Sequence, residues 1–346
     1  MEQNELVGHV HKEISRWRNI WTVRSDAERA NETKRISIWK KNKAVLWYYP
    51  SPDKKYDIPV FHVYSLVNRA SILDLAPGTS LIEGFGSRGY DVYLLDWGAP
   101  AYEDKDITLE NYIVSYLQQA VKRAIRHSGA AEISLIGYCL GGTMAAIYAA
   151  IAEEPIRNLI FIATPVDMKN LPIMNKWVEA LRSGTIQPAS FFREIGIVPR
   201  EFIKAGVRLC TVPLYFSHYF SLLQRAHDEA YVRKWKLFND WTNDHIPFSS
   251  AAFLDLMDLI AQNKIINGLL RIKGKSVQLE NITANLLVVC TNGDRLIPAE
   301  LSYPIIEKAS SHDKTYQQVE GGHVSFALQG GMPEFWDEWL KQRSSL

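Results

Sequence analysis

Ser134-Leu135-Ile136-Gly137-Tyr138-Cys139-Leu140-Gly141-Gly142-Thr143-Met144 is the stretch on which the fold turns. An apolar, strand-like run ends in Gly-x-Cys-x-Gly-Gly and passes at once into a helix-forming segment. A side chain at the apex of such a strand–turn–helix bend sits at a strained backbone position, so the residues two before and two after it must be small. Gly137 and Gly141 meet that need. A thiol at the apex lies at the positive end of the following helix and can pass its proton to a nearby imidazole, which makes Cys139 a candidate nucleophile. The plainer reading is a buried structural cysteine. The agreement of strand, glycines and helix weighs against it.

Working outward, short β-like runs occur at Ala44–Tyr49, Val60–Tyr64, Asp91–Leu95, Ile133–Ile136, Leu159–Ala163 and Asn285–Cys290. Several are almost continuously apolar, as strands covered on both faces are. Helix-like segments such as Leu109–His127 and Gly142–Glu153 separate them, and this alternation predicts βαβ units and a mostly parallel sheet. The fold class is therefore α/β, and the Cys139 bend specifies the α/β-hydrolase fold. Between residues 165 and 270 the strand signals stop. The text there is helical, proline-punctuated and aromatic (Phe191, Phe192, Phe216, Tyr219, Phe220, Trp235, Trp241), and reads as an inserted helical cap. It divides the core into residues 36–164 and 271–346. Residues 1–35 read as an N-terminal arm in which Ile14, Trp17, Ile20 and Trp21 fit one face of a short amphipathic helix.

A chain of 346 residues can bury a full core. With 39 basic against 38 acidic residues it has no net field of the kind that nucleic-acid binders carry, so nucleic acid is not an expected partner. The three cysteines (Cys139, Cys210, Cys290) form no metal-ligand spacing, and the chain starts MEQNELVGHVHKEISRW without an apolar signal region, so a reduced, cytoplasmic setting is expected. No apolar run reaches the roughly 20 residues of a spanning helix.

In this fold the partners follow the nucleophile in the order acid, then histidine, each on a loop after a later strand. Leu286–Cys290 runs into Thr291-Asn292-Gly293-Asp294-Arg295, which places Asp294 at the carboxyl edge of the sheet. An Asp after Gly is also a common turn residue. Downstream, Glu320-Gly321-Gly322-His323-Val324-Ser325 puts His323 on a glycine-flanked loop. Of the nine histidines it alone has the right order and setting. For the oxyanion of acyl transfer, one backbone donor is Leu140; the second belongs to the loop Ser65-Leu66-Val67-Asn68, with Val67 as the candidate. Asp96, ending another strand at the same edge, either faces the site or stabilises a turn. No metal or redox cofactor is required.

The stretches IWKKNKAVLWYY, VYSLVNRASILDLAPGTSLIEG, GYDVYLLDWG, LIGYCLGGTMAAIYAA, NLIFIATPVDM, QNKIINGLL and GHVSF make the chain resemble the polyhydroxyalkanoate synthase catalytic subunits from about Ile38 to Arg343. Within that family it is most similar to the short class III and class IV enzymes, and IWKKNKA, GYCLGGT and QNKIINGLL lean toward class IV. The resemblance implies that Cys139 is acylated by a (3R)-hydroxyacyl-coenzyme A, coenzyme A being part of the substrate rather than a cofactor. The hydroxyl of a bound unit or of the growing polyester chain then attacks the next thioester. His323 would deprotonate the thiol, and Asp294 would either orient that imidazole or help activate the attacking hydroxyl. The resemblance further implies a homodimer, a small PhaR-type (or, for class III, PhaE-type) partner subunit, and a cytoplasmic location at the polyester granule surface.

One position departs from the family pattern. Relatives commonly have a histidine directly after the aspartate, where this chain has Arg295, and a guanidinium cannot serve as a base near neutral pH. Arg295 is either a solvated surface residue, a partner of Asp294, or a contact for a coenzyme A phosphate. Trp241-Thr242-Asn243-Asp244-His245-Ile246-Pro247-Phe248 resembles the tryptophan-containing cap segment of the family. The alternative function on the same fold is a thioesterase or intracellular polyester depolymerase; a granule-coat protein with a degenerate site is the non-enzymatic one.

Overall fold

The computed structural model describes residues 2–24, 33–172 and 174–344. Of the expected N-terminal arm, residues 1 and 25–32 lie outside the described residues, as does residue 173 of the expected cap.

Eight strands form the central sheet: β1 (Ile36–Lys41), β2 (Ala44–Tyr49), β3 (Val60–Val63), β4 (Val92–Asp96), β5 (Ile133–Tyr138), β6 (Ile156–Ile162), β7 (Asn285–Thr291) and β8 (Lys314–Val319). Their spatial order is β1-β2-β4-β3-β5-β6-β7-β8. The β1–β2 and β2–β4 pairings are antiparallel and the rest are parallel. This is the expected mostly parallel α/β arrangement. Every residue of β3 and of β5 is buried, as central strands covered on both faces must be.

The period of two splits each strand between two cores. Phe61, Val63, Tyr93 and Leu95 pack into one apolar cluster, while Val60, Val92 and Leu94 pack into the other. Cys139, at the end of β5, borders both. It therefore stands on the carboxyl rim where the two layers meet, the place at which an open parallel sheet offers ligands a crevice.

Some elements differ from their sequence reading. The segment expected as a helix over Leu109–His127 is a π-helix over Asn111–Gln118 followed by α3 (Gln119–Ser128). Strands β1 and β8 escaped detection because edge strands are polar on one face: β8 reads Lys-Thr-Tyr-Gln-Gln-Val.

Between β6 and β7 the described residues form five α-helices: α5 (Asn175–Arg182), α6 (Ala189–Ile195), α7 (Arg200–Arg225), α8 (Glu229–Asn243) and α9 (Ser250–Ala261). A two-residue antiparallel ladder, Ile197–Val198 against Phe248–Ser249, joins the start of α7 to the start of α9. The N-terminal helix α1 (Glu2–Thr22) docks on this layer rather than on the sheet. Asn19 donates to the carbonyls of Ala226 and His227, and Lys236 donates to those of Ile20 and Val23. Val23, Leu222, Ala226, Val232 and Trp235 close a small apolar cluster beneath it. Ile14, Trp17 and Trp21 of the expected apolar face point to solvent, with only Ile20 turned toward the cluster.

Candidate active site

The elbow is built as its sequence requires. Cys139 has φ 52° and ψ −128°, left-handed territory that costs a residue with a side chain on the order of 1–3 kcal/mol. Its backbone is pinned on both sides: the N–H donates to Ile162 O at 2.9 Å, and the carbonyl accepts from Gly142 N at 2.9 Å and Thr143 N at 3.2 Å. The flanking glycines are needed for close approach. A Cβ on Gly137 would strike the Gly142 backbone, and one on Gly141 would strike Val63 O and the Tyr64 backbone. Helix α4 (Leu140–Ala149) follows directly, so Leu140 N–H is among the first donors of the helix, which have no partner within it.

Asp294 and His323 come from neighbouring parallel strands. In the β7–β8 register Thr291 faces Val319, and the two following loops are stitched together by Asn292 N to Val319 O at 3.0 Å and Gly293 N to Gly321 O at 2.9 Å. Asp294 is buried, with its Oδ1 accepting from Leu296 N and Ile297 N, each at 2.9 Å. Its Oδ2 meets His323 Nδ1 at 2.7 Å. Cys139 stands close enough to the imidazole for its charge to act on the ring. Burial alone would pull the His323 pKa down. The charge of Cys139 first, then the hydrogen bond and charge of Asp294, outweigh it and push the imidazole up to about 10. The fold thus brings Cys139 beside an imidazole whose Nδ1 is held by a buried carboxylate, an arrangement in which a thiol can hand its proton to the ring.

The remaining sequence candidates fall out as follows. Val67 lies on the loop after β3, which packs against the elbow through Val63 and Tyr64. Its N–H already donates to Ser65 Oγ at 3.1 Å, so its use as an oxyanion donor requires the serine hydroxyl to turn away. Asp96 accepts from Gly98 N at 3.0 Å and stabilises a turn. Arg295 is exposed beside Asp294. One contact had no signal in the sequence: Tyr138 Oη, on the strand residue before the nucleophile, donates to the backbone carbonyl of His323 at 2.6 Å. The hydroxyl is buried, and its pKa is driven well above the usual tyrosine range by burial and by the negative charges nearby.

The helical layer between β6 and β7 grips the loop that carries Val67. Ile246 N donates to Val67 O at 3.2 Å, His245 bridges Asn68, and Trp241 Nε1 donates to Arg69 O at 2.8 Å. Among the described residues no group of His, Cys, Asp and Glu side chains could hold a metal ion, and no helix is long and apolar enough to cross a membrane.

Comparison with known proteins agrees with this fold. The family model described as alpha/beta hydrolase fold matches residues 72–329. A poly(3-hydroxyalkanoate) polymerase subunit PhaC of Haloferax mediterranei is 31% identical over 315 residues, covering 89% of this chain but 63% of that protein. The PhaC subunits of Allochromatium vinosum and a Synechocystis strain are 28% and 27% identical, with 85% and 99% of this chain and 83% and 94% of theirs covered. Among solved structures, a soluble variant of monoglyceride lipase from Saccharomyces cerevisiae superimposes with a TM-score of 0.59 at 15% identity, covering 91% of this chain and 96% of that one. The chain belongs to the alpha/beta hydrolase fold family, and its sequence relatives there are polyhydroxyalkanoate polymerase subunits.

Proposed function

We propose that this chain is the catalytic subunit of a polyhydroxyalkanoate polymerase, an acyltransferase that joins (3R)-hydroxyacyl units through an acyl-Cys139 intermediate. The observation that carries the reading is a cysteine on the elbow, with an imidazole beside it that a buried carboxylate holds at 2.7 Å. Cys139 Sγ, with its proton held on His323, attacks the thioester carbonyl as a thiolate. A new thioester forms, the carbonyl–sulfur bond to coenzyme A breaks, and the departing coenzyme A thiolate takes up the proton. The hydroxyl of a second hydroxyacyl unit, or of the chain end, then gives its proton to His323 and attacks the acyl-enzyme, so that an ester bond forms, the carbonyl–Sγ bond breaks and the Cys139 thiolate returns beside the imidazolium. A thiolate leaves readily, so each acyl-enzyme stays poised for transfer to an alcohol; this favours cysteine over serine for repeated thioester exchange.

Asp294, fixed by two backbone N–H groups, orients His323 and stabilises the imidazolium. Leu140 N–H supplies one oxyanion donor, and Val67 N–H supplies the second once Ser65 releases it. The helices between β6 and β7 act as the cap. A homodimer working with a small PhaR- or PhaE-type subunit at a granule surface completes the reading, which rests for these parts on the similarity to the PhaC subunits.

The deciding experiment incubates the chain, with and without a candidate small subunit, with (3R)-3-hydroxybutyryl-coenzyme A. Release of coenzyme A together with sedimenting polyester is expected, and Cys139→Ala should abolish both. Free 3-hydroxybutyrate as the sole acyl product would replace the polymerase with a thioesterase.

A further inference from the structure

Tyr64 follows directly on β3, so it stands at the carboxyl rim of the sheet. The β3–β5 register pairs Val63 with Gly137, which sets Tyr64 beside Tyr138, the residue before the nucleophile. Both tyrosines belong to the same apolar cluster, and their rings meet edge to face at 5.7 Å and 78°. The Tyr64 backbone is held against the elbow. Its carbonyl accepts from Trp97 Nε1 at 2.9 Å, and a Cβ on Gly141 would lie 2.5 Å from that carbonyl.

The two hydroxyls have different fates. That of Tyr138 donates to the His323 carbonyl at 2.6 Å. That of Tyr64 makes no hydrogen bond among the described residues, yet it is not one of the polar atoms sealed off without a partner; the small exposed part of this residue, 4%, therefore includes it. Cys139 stands close enough for its charge to act on this hydroxyl. Burial first, and then that charge, push its pKa well above the usual tyrosine range, so the oxygen keeps its proton and can donate it in a hydrogen bond. A nearly buried hydroxyl that the protein leaves unpaired, fixed beside a nucleophile, weakens the fold unless a group arriving at that nucleophile uses it.

The acyl group that the proposed reaction places on Cys139 carries a carbonyl oxygen and an oxygen on carbon 3. The carbonyl oxygen has the Leu140 N–H for a donor. The 3-oxygen, a few bonds from the sulfur, has no such donor on the elbow, where the next N–H groups, those of Gly142 and Thr143, are bonded to the Cys139 carbonyl. We propose that the Tyr64 hydroxyl donates to the 3-oxygen of the acyl group on Cys139 and so selects 3-hydroxyacyl thioesters over plain acyl thioesters. This deepens the polymerase reading and rests on it for the chemistry of the acyl group. A substrate without the 3-oxygen leaves the hydroxyl unpaired, which is how a polar group in a pocket rejects an analogue.

The test is Tyr64→Phe in the full-length chain, which keeps the ring against Tyr138 and removes only the oxygen. With enzyme in excess, first-turnover release of coenzyme A from (3R)-3-hydroxybutyryl-coenzyme A and from butyryl-coenzyme A reads the acylation of Cys139 with and without the 3-oxygen. The wild-type preference for the hydroxylated thioester should fall about tenfold in the variant. The urea midpoint should stay where it was, because no bond within the protein is lost. A wild type without the preference, an unchanged preference in the variant, or equal slowing on both thioesters overturns the assignment, and so does a urea midpoint lowered as a lost buried hydrogen bond would lower it. If the preference falls as expected while both proteins release free 3-hydroxybutyrate and make no polymer, the Tyr64 contact stands and the polymerase reading falls.

Discussion

Cys139, His323 and Asp294 were legible because each carries a local sequence mark: glycines around the elbow, a strand running into an Asp-bearing turn, a Gly-Gly-His loop. What holds them in register was not legible, because it depends on pairs far apart in the chain. The hydroxyl of Tyr138 reaches 185 residues along the sequence to the His323 carbonyl and fixes the histidine loop against the elbow. In the proposed reaction its role is positioning, since it is linked to the Cys139 sulfur only through the histidine loop. Tyr138→Phe removes one buried hydrogen bond and leaves the His323 carbonyl unpaired, which costs about 1–3 kcal/mol of stability. If the bond is structural alone, the effect ends there. If it positions the imidazole, single-turnover acylation of Cys139 slows about tenfold with KM unchanged, and alkylation of Cys139 by iodoacetamide acquires a different pH profile. An identical alkylation profile in the variant would reduce Tyr138 to packing.

At the scale of elements, the central strands could be read from the sequence because both of their faces are buried and their composition says so. The edge strands β1 and β8, the π-helix and the docking of α1 could not. In α1 the apolar residues Ile14, Trp17 and Trp21 suggested a face that packs inward, yet the docked face is the one carrying Asn19, Ile20 and the terminal Val23. Polar anchoring explains the choice: Lys236 of α8 donates to the carbonyls of Ile20 and Val23, at the end of α1 where carbonyls lack intrahelical partners and a cation is favoured. Lys236→Met keeps the aliphatic stem and removes the anchor. The expected outcome is loss of about 1 kcal/mol in the docking of α1, seen as faster tryptic cleavage after Arg18 and Arg24, while cleavage within the sheet core is unaltered. Equal cleavage of both proteins would mean that the apolar cluster around Val23 holds α1 unaided.

At the scale of the whole molecule, shifted histidines contribute to how stability follows pH, with His218, pulled down to about 4 by burial, acting in the same sense as His62 and His245. His62 is buried against Phe85, and burial pulls its pKa down to about 3. His245 is pulled down to about 4, by burial first and then by Lys204 and Arg208, with Asp244 opposing. An unfolded chain protonates both near their ordinary value of 6.5. As pH falls below that value the unfolded state binds protons that the folded state refuses. Their contribution is therefore intact above 6.5 and is lost on the way down toward 3 to 4, with a slope of up to about 1.4 kcal/mol per pH unit for each site. His323, pushed up to about 10, acts with the opposite sign. The folded state keeps a proton that the unfolded state releases, so its contribution is intact below 6.5 and is lost as pH rises toward 10. Stability should accordingly form a dome with its summit near pH 6.5. Urea midpoints measured from pH 4 to pH 10 give its shape, and variants assign its flanks: His62→Leu should flatten the acid side alone, and His323→Gln the alkaline side alone. Should His323→Gln leave the alkaline flank as steep as before, the strong hold of Cys139 and Asp294 on the imidazole, and with it the proton transfer on which acylation depends, would be wrong.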